Sequence, residues 1–134
     1  MQSNYETKLW GGRFEASTSE QMEHFHNVGG RTAWLLEADI LGSIAHARML
    51  TKCGLVTPAQ GEALDKGLNA LLQEARKGTL HCDDSFEDVH SFVELTLTRR
   101  IGDAGKVLHT ARSRNDQVNL DMKLFARQRC ADLQ

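Results

Sequence analysis

The sequence of 134 residues has a single proline, a single tyrosine and only three cysteines. No apolar run approaches the length that crosses a bilayer, and the first residues do not combine a basic segment with an apolar one. We therefore predict a cytoplasmic protein without a membrane partner. Cys53, Cys82 and Cys130 are an odd number at wide spacings, with no Cys-x-x-Cys pair, which predicts free, mostly buried thiols.

The sequence also lacks an excess of positively charged residues. Sixteen Lys and Arg residues stand against eighteen Asp and Glu residues, and the formal net charge is −2. No global field then attracts nucleic acid, so any anion-binding site must be local. The hydrophobic fraction of 40% is too high for a disordered chain, and the length suits one domain with a true core.

Alternation of apolar and polar residues is scarce, whereas apolar residues recur at spacings of three and four, which predicts an all-α fold. One stripe predicts a helix over residues 32–53. Thr57, Pro58 and Gln60 have the pattern of a capping box with proline at the first helical position, and predict a second helix up to Gly78. We expect these two helices to pair as a hairpin.

Ser85 followed by Asp88 is a further capping signal, and predicts a third helix that ends near Gly102. Helical spacing resumes near Arg114 and includes Val118, Met122, Phe125 and Arg129. The sequence stops at Gln134 inside this pattern, which predicts a piece of a longer chain.

Polar donors are concentrated between His109 and Asp116, directly before the last helix. Guanidinium groups bind carboxylates in bidentate geometry, and a helix N-terminus adds free N–H groups and a positive dipole end. This pattern predicts a site for a carboxylate or phosphate. Composition alone equally allows a solvated basic loop. The donors are Thr110, Arg112, Ser113, Arg114 and Asn115.

Asp88 and His90 lie where the third helix opens, and His90 could bind a substrate carboxylate if it faces a cleft. Alternatively, Asp88 is only a cap and His90 only a surface residue. A metal site is a weaker alternative because no ligand pair has a zinc spacing, and we predict no metal. Its ligands would come from His81, Cys82, Asp83, Asp84, Asp88 and His90.

Four segments in this order closely resemble the N-terminal region of the argininosuccinate lyases, in the fumarase/aspartase superfamily. The resemblance covers essentially the whole sequence but only the first part of the family's longer chain. The segments are Lys-Leu-Trp-Gly-Gly-Arg-Phe at 8–14, Asp-Ile-Leu-Gly-Ser at 39–43 with Ala45 nearby, Glu-Asp-Val-His at 87–90, and His-Thr-Ala-Arg-Ser-Arg-Asn-Asp-Gln-Val at 109–118.

The resemblance implies an all-α enzyme, a carbon-nitrogen lyase of arginine biosynthesis that cleaves argininosuccinate to arginine and fumarate by β-elimination without any cofactor. It implies a homotetramer in which three protomers build each active site. Residues 1–114 would form an N-terminal helical domain that ends in the substrate-binding loop. Residues 115–134 would begin a central-bundle helix, and the piece alone would be inactive.

The resemblance matches Ser113, Arg114 and Asn115 to the family's substrate-binding loop, and Asp88 with His90 to its Asp-x-His element. The catalytic serine and histidine are expected beyond Gln134. Together with the loop donors, the predicted substrate-binding residues are His90, Thr110, Arg112, Ser113, Arg114 and Asn115, supported by Asp88 and Asp116.

Three positions depart from the family pattern. Val28 stands where a substrate-binding serine is usual, Thr32 where an aspartate is usual, and Ala111 where glycine is common. Two alternatives therefore stay open: a paralogue that cleaves another N-substituted aspartate, and a non-catalytic, crystallin-like protein of the same fold. A nucleic-acid-binding module is a weaker hypothesis, since the net charge is −2 and no aromatic residue lies beside the arginines.

Overall fold

The computed structural model describes residues 20–134, and the segment at 8–14 lies outside this range. In the described part, the protein is helical without strands, as predicted. The helices are α1 (Glu20–His26), α2 (Gly29–Thr32), α3 (Leu36–Lys52), α4 (Pro58–Arg76), α5 (Val89–Ile101) and α6 (Arg114–Asp132), with 3-10 turns at Ala33–Leu35 and Gly102–Val107.

The predicted hairpin of α3 and α4 is confirmed. The Oγ1 of Thr57 accepts a hydrogen bond from the backbone N–H of Gln60, and the Gln60 side chain accepts one from the backbone N–H of Thr57. The helices are antiparallel, since ion pairs tie residue 48 to 65 near the connecting turn and residue 37 to 76 at the far end.

The capping signal at Ser85 was wrong, whereas the alternative that Asp88 is a cap is confirmed, since Asp88 is the N-cap of α5. Asp88 accepts a hydrogen bond from the N–H of Ser91 at 2.7 Å, and the Ser91 hydroxyl accepts one from the N–H of Asp88 at 3.1 Å. The Ser85 hydroxyl bonds to the Asp83 carboxylate in a local turn. The two capping signals compete, and Asp88 with Ser91 satisfies the helix end reciprocally.

The hydrophobic core lies where α3, α4 and α5 meet. Apolar residues at helical spacing bury one face of each helix, as the sequence stripes predict. Leu108, in the segment before α6, closes the same cluster. Its buried members on the three helices are Leu36, Ile40, Ile44, Ala47, Leu64, Leu68, Leu71, Leu72, Val89, Phe92, Val93 and Leu97.

Helix α6 begins at Arg114 as predicted, but its apolar stripe does not face the core. Val118 is 37% exposed and Met122 is 46% exposed, whereas Gln117 and Asp121 are buried. Helix α6 packs on α3, with Gln117 and Asp121 buried between the helices and Val118 and Met122 on the outer side. Further along α6, Phe125 packs edge-on against Trp34, with ring centroids 4.4 Å apart.

All three cysteines are free, as predicted, but the expectation that most are buried was wrong. Cys82 is buried, whereas Cys53 lies exposed at the end of α3 and Cys130 is exposed on α6. Among residues 20–134, no helix combines the length and the hydropathy needed to cross a membrane.

Candidate functional site

Two of the predicted site elements lie side by side in the structure. The N-terminus of α5 carries Asp88 and His90, and the N-terminus of α6 follows the donor-rich loop. The Nε of Arg114 lies 3.6 Å from Oδ2 of Asp88, which joins the two helix starts. Two segments that are distant in sequence therefore form one polar surface.

The loop before α6 is shaped by a reciprocal cap. Ser113 is the N-cap, and its Oγ accepts a hydrogen bond from the N–H of Asn115 at 3.1 Å. Asp116 accepts a hydrogen bond from the N–H of Ser113, also at 3.1 Å. Ser113 and Asn115 are both exposed, so their side chains remain accessible at the positive end of the helix dipole.

Arg112 points in another direction, toward the interior. Its two terminal nitrogens donate to Oγ of Ser43 at 3.3–3.4 Å, and its Nε is buried without a hydrogen-bond partner among the described residues. The guanidinium interacts electrostatically with Asp39 and Asp121. Of the two loop arginines, Arg112 thus neutralises buried carboxylates, and Arg114 stays at the surface beside Asp88.

Two histidines border the loop. The Nε2 of His46 lies 2.9 Å from the carbonyl oxygen of Thr110. Burial lowers the pKa of His46, and also that of His109, where the positive charges of Arg112 and Arg114 lower it further. Both imidazoles are therefore neutral at neutral pH.

A buried polar cluster lies directly beneath this surface, and sequence reasoning missed it. The Nδ1 of His90 is 2.9 Å from Oδ1 of Asp39 and 3.3 Å from Oδ2 of Asp121. Gln117 donates from Nε2 to the same Oδ1 of Asp39 at 2.6 Å. We call these four residues the His90 cluster. His90, predicted as a site residue, therefore lies in the interior, 3% exposed.

A signal for this cluster exists in the sequence. Asp39 and Ser43 lie within the apolar stripe of α3, on the face that also carries Leu36 and Ile40. A carboxylate on a buried helix face needs partners, because burying an unpaired charge is costly. Nothing in the sequence, however, says which helix supplies those partners.

Two carboxyl groups near the arginines have perturbed pKa values. Burial raises the pKa of Asp121 to about 8, and the charge of Asp39 acts in the same direction, against Arg112 and Arg114. Burial also raises the pKa of Glu94, again opposed by these two arginines. Of these two groups, Asp121 can thus keep a proton at neutral pH.

We assign no metal to the site. Asp39, His90 and Asp121 each offer a ligand atom within 4.8 Å of the others. The His90 Nδ1 and the Asp39 Oδ1, however, already form hydrogen bonds within the cluster.

The weaker metal alternative near residues 81–90 is not assembled either, because His90 lies with the buried cluster instead. Burial, and then the charge of Asp83, raise the pKa of Cys82 to about 12, so its thiol is protonated at neutral pH.

Two of the departures from the family pattern, Val28 and Thr32, lie next to the site. Val28 donates its N–H to the carbonyl oxygen of Glu87 at 2.9 Å. The Oγ1 of Thr32 accepts a hydrogen bond from the N–H of Val89 at 3.0 Å and donates to the carbonyl oxygen of Val28. Helix α2 is thereby docked on the start of α5, and both divergent residues bond to sequence neighbours of Asp88.

Two cavities lie among residues 20–134 at different places. A small cavity of about 280 Å³ borders the loop and is lined in part by His46, Arg112 and Asp116. A larger groove of about 980 Å³ lies elsewhere, along Trp34, Leu80 and the C-terminal half of α6. None of the predicted site residues lines this larger groove, so the location of the polar groups, and not cavity size, identifies the candidate site.

Comparison with known proteins gives one consistent result. Residues 12–134 match the profile of a family described as lyase. The chain is 48% identical over 126 residues to an argininosuccinate lyase of Clostridioides difficile, which covers 94% of the chain and 29% of the relative. It is 51% identical over 121 residues to an argininosuccinate lyase of Moorella thermoacetica, covering 90% of the chain and 26% of the relative. The chain thus spans less than a third of the length of these relatives.

Proposed function

The chain belongs to this lyase family, and we propose that it supplies the carboxylate-binding part of an argininosuccinate lyase. In that reaction a base removes the proton from a carbon beside a carboxylate. The electron pair forms the double bond of fumarate as the carbon-nitrogen bond breaks, and arginine leaves. The protein would then be a carbon-nitrogen lyase of arginine biosynthesis.

The observation that carries this proposal is the contact between the two helix starts. Arg114, in the loop segment, lies 3.6 Å from Asp88, in the Asp-x-His segment. Both segments belong to the resemblance with argininosuccinate lyases, and the matched relatives carry that name. A dicarboxylate placed here would meet a helix N-terminus, a guanidinium and an amide on one surface.

The roles of the residues follow from their chemistry. Removing the proton makes the carboxylate beside it a dianion, which needs donors that are already in place. Ser113, Arg114 and Asn115 offer a hydroxyl, a guanidinium and an amide at the start of α6. Thr110 and His90 complete the proposed substrate-binding set, and Asp88 and Asp116 support it, whereas Arg112, predicted as a further contact, turns toward Ser43 and the buried carboxyl groups. The base is expected in the part of the lyase that follows this region.

A second candidate function rests on the two divergent positions beside Asp88. Val28 cannot donate a hydrogen bond from its side chain, and the Thr32 hydroxyl is engaged with the backbone of Val28 and Val89. A substrate whose amine portion needs no hydroxyl or carboxylate there would fit equally well. A paralogue that cleaves another N-substituted aspartate is therefore the alternative, and a crystallin-like protein without activity is the third.

We further propose a cytoplasmic homotetramer with sites shared between protomers. On the outer face of α6, Val118 is 37% and Met122 46% exposed, one helical turn apart. Apolar side chains in such a row along one helix are typical of a surface that another helix covers. Asn115 opens the same helix, so a neighbouring protomer on this face would lie close to the site.

A chimera tests the proposed activity. The matching 126 residues of the Clostridioides difficile relative are replaced by those of this chain. The purified chimera is then assayed with argininosuccinate, with fumarate measured by its ultraviolet absorbance. We expect turnover that depends on Asn115.

The unmodified relative serves as the positive control, and its assembly state and helix content are the reference for a folded chimera. A chimera that matches the reference in both but releases no fumarate from argininosuccinate rejects the substrate assignment. Release of fumarate from another N-substituted aspartate would favour the paralogue. Loss of all activity would favour the crystallin-like protein.

A further inference from the structure

We propose that Asp39 is a positioning residue, which holds His90 by its Nδ1 so that Nε2 is the nitrogen presented to the substrate. The inference deepens the proposed function, on which the role of His90 as a substrate contact rests. Asp39 would not touch the substrate itself, since it is fully buried.

The geometry around the imidazole determines its tautomer. The Nδ1 of His90 lies at hydrogen-bond distance from Oδ1 of Asp39, 2.9 Å away, and 3.3 Å from Oδ2 of Asp121. The Asp39 carboxylate accepts hydrogen bonds, so Nδ1 carries a proton and donates it to Asp39. Because Nδ1 faces Asp39, the second ring nitrogen, Nε2, faces away from Asp39.

Asp39 is itself held from a second direction. Gln117 donates from Nε2 to the same Oδ1 at 2.6 Å. One oxygen on α3 therefore binds a side chain of α5 and a side chain of α6, the two helices whose starts form the candidate site. A shift of either helix would break a buried hydrogen bond, so Asp39 fixes the distance between the helices as well as the ring.

Gly42 makes this arrangement possible. It lies one turn after Asp39 on α3, and a Cβ added there would be 3.0 Å from Cδ2 of Leu120 and 3.4 Å from Oδ1 of Asp121. The missing side chain lets α6 approach α3 closely enough for Gln117 and Asp121 to reach the His90 cluster.

The tautomer is the first measurement. Nitrogen NMR of the 134-residue chain with ¹⁵N-labelled histidine distinguishes a protonated Nδ1 from a protonated Nε2. We expect the Nδ1–H form at His90, and a shift toward the mixture seen in free histidine in Asp39→Ala. Asp65→Ala, which removes the partner of Arg48 on the surface, should leave the His90 signal unchanged.

Kinetics of the chimera described above are the second measurement. Asp39→Ala and His90→Ala should each lower kcat/KM, on the order of 10–100-fold as for other carboxylates that orient a histidine. The double variant should lose no more than His90→Ala alone, because the two residues act as a unit. Asp39→Asn keeps an oxygen that can accept from Nδ1 and should recover part of the activity.

Two outcomes would overturn the proposal. One is a His90 protonated at Nε2 in the unmodified chain, and the other is a double variant in which the two losses multiply. If Asp39→Ala fails to fold, Asp39→Asn replaces it in both the NMR and the kinetic measurement, since Asn preserves the shape of the side chain. A folded but inactive chimera would reject the proposed function, whereas the tautomer would still decide the role of Asp39.

Discussion

Oδ2 of Asp121 on α6 lies 3.3 Å from Nδ1 of His90 on α5, and both side chains are buried. Both oxygens of Asp121 lack a hydrogen-bond partner among the described residues. The carboxyl group is thus removed from water without full compensation. This relationship makes the stability of the protein depend on whether Asp121 is protonated.

The first prediction concerns pH. Burial, and then the neighbouring Asp39, raise the pKa of Asp121 to about 8, against about 4 in an unfolded chain. Between these values only the folded protein keeps the proton, so stability falls as pH rises through this range. The slope from one group is at most about 1.4 kcal/mol per pH unit.

Urea unfolding of the chain between pH 5 and pH 8 measures this slope. Asp121→Asn, which imitates the protonated acid, should flatten it and raise the stability at pH 8. Asp132→Asn on the same helix, whose side chain is 44% exposed, should leave the slope as it is. An Asp121→Asn variant with the unmodified slope would contradict the prediction.

The second prediction concerns the start of α6. Asn115→Ala in the chimera should lower turnover by about 10²–10³-fold, the cost of losing one donor that stabilises a developing negative charge. Asn119→Ala, an exposed amide one turn further along, is the matched control and should keep full activity. Equal activity of both variants in the fumarate assay would show that the site lies elsewhere.

The third prediction separates capping from substrate binding. Thr57→Ala and Ser113→Ala each remove the hydroxyl of a capping box and should each cost about 1 kcal/mol of unfolding free energy. Only Ser113→Ala should also lower turnover in the chimera, because only Ser113 faces the proposed substrate. Unaltered turnover in Ser113→Ala would leave Ser113 as a cap alone.

The fourth prediction concerns the backbone of the loop. Ala111 has a φ of 56°, in the left-handed region, which costs a residue with a Cβ roughly 1–2 kcal/mol. Glycine avoids this cost but gains entropy in the unfolded chain, so Ala111→Gly should stabilise the chain by up to about 1 kcal/mol.

Ala126→Gly is the matched control for the loop substitution, since Ala126 is an exposed position within α6. There the same change should destabilise the chain by about 1 kcal/mol. Denaturant midpoints of both variants measure the difference. Destabilisation by Ala111→Gly of similar size would mean that the loop is not strained at this position.

Much of the fold could be predicted because its signals are local. The hydrophobic stripes of α3 and α4, the Thr57 capping box and the start of α6 near Arg114 all depend on residues within one or two helical turns. The start of α5 was misassigned for a related reason. Two capping signals overlap there, and the hydrogen bonds of Asp83 with Ser85 and of Asp88 with Ser91 decided between them.

The sequence by itself determined the helices, the candidate loop and the likeness to a lyase family, because each rests on residue types at short spacings. Only the tertiary structure decided that Arg112 turns inward while Arg114 meets Asp88. It also decided that Asp39 and Asp121 lie beside His90, and that Val118 and Met122 of α6 face outward. These contacts join residues 26 to 69 positions apart, and nothing in the local pattern says which helix faces which. Packing of the helices against one another supplies that information.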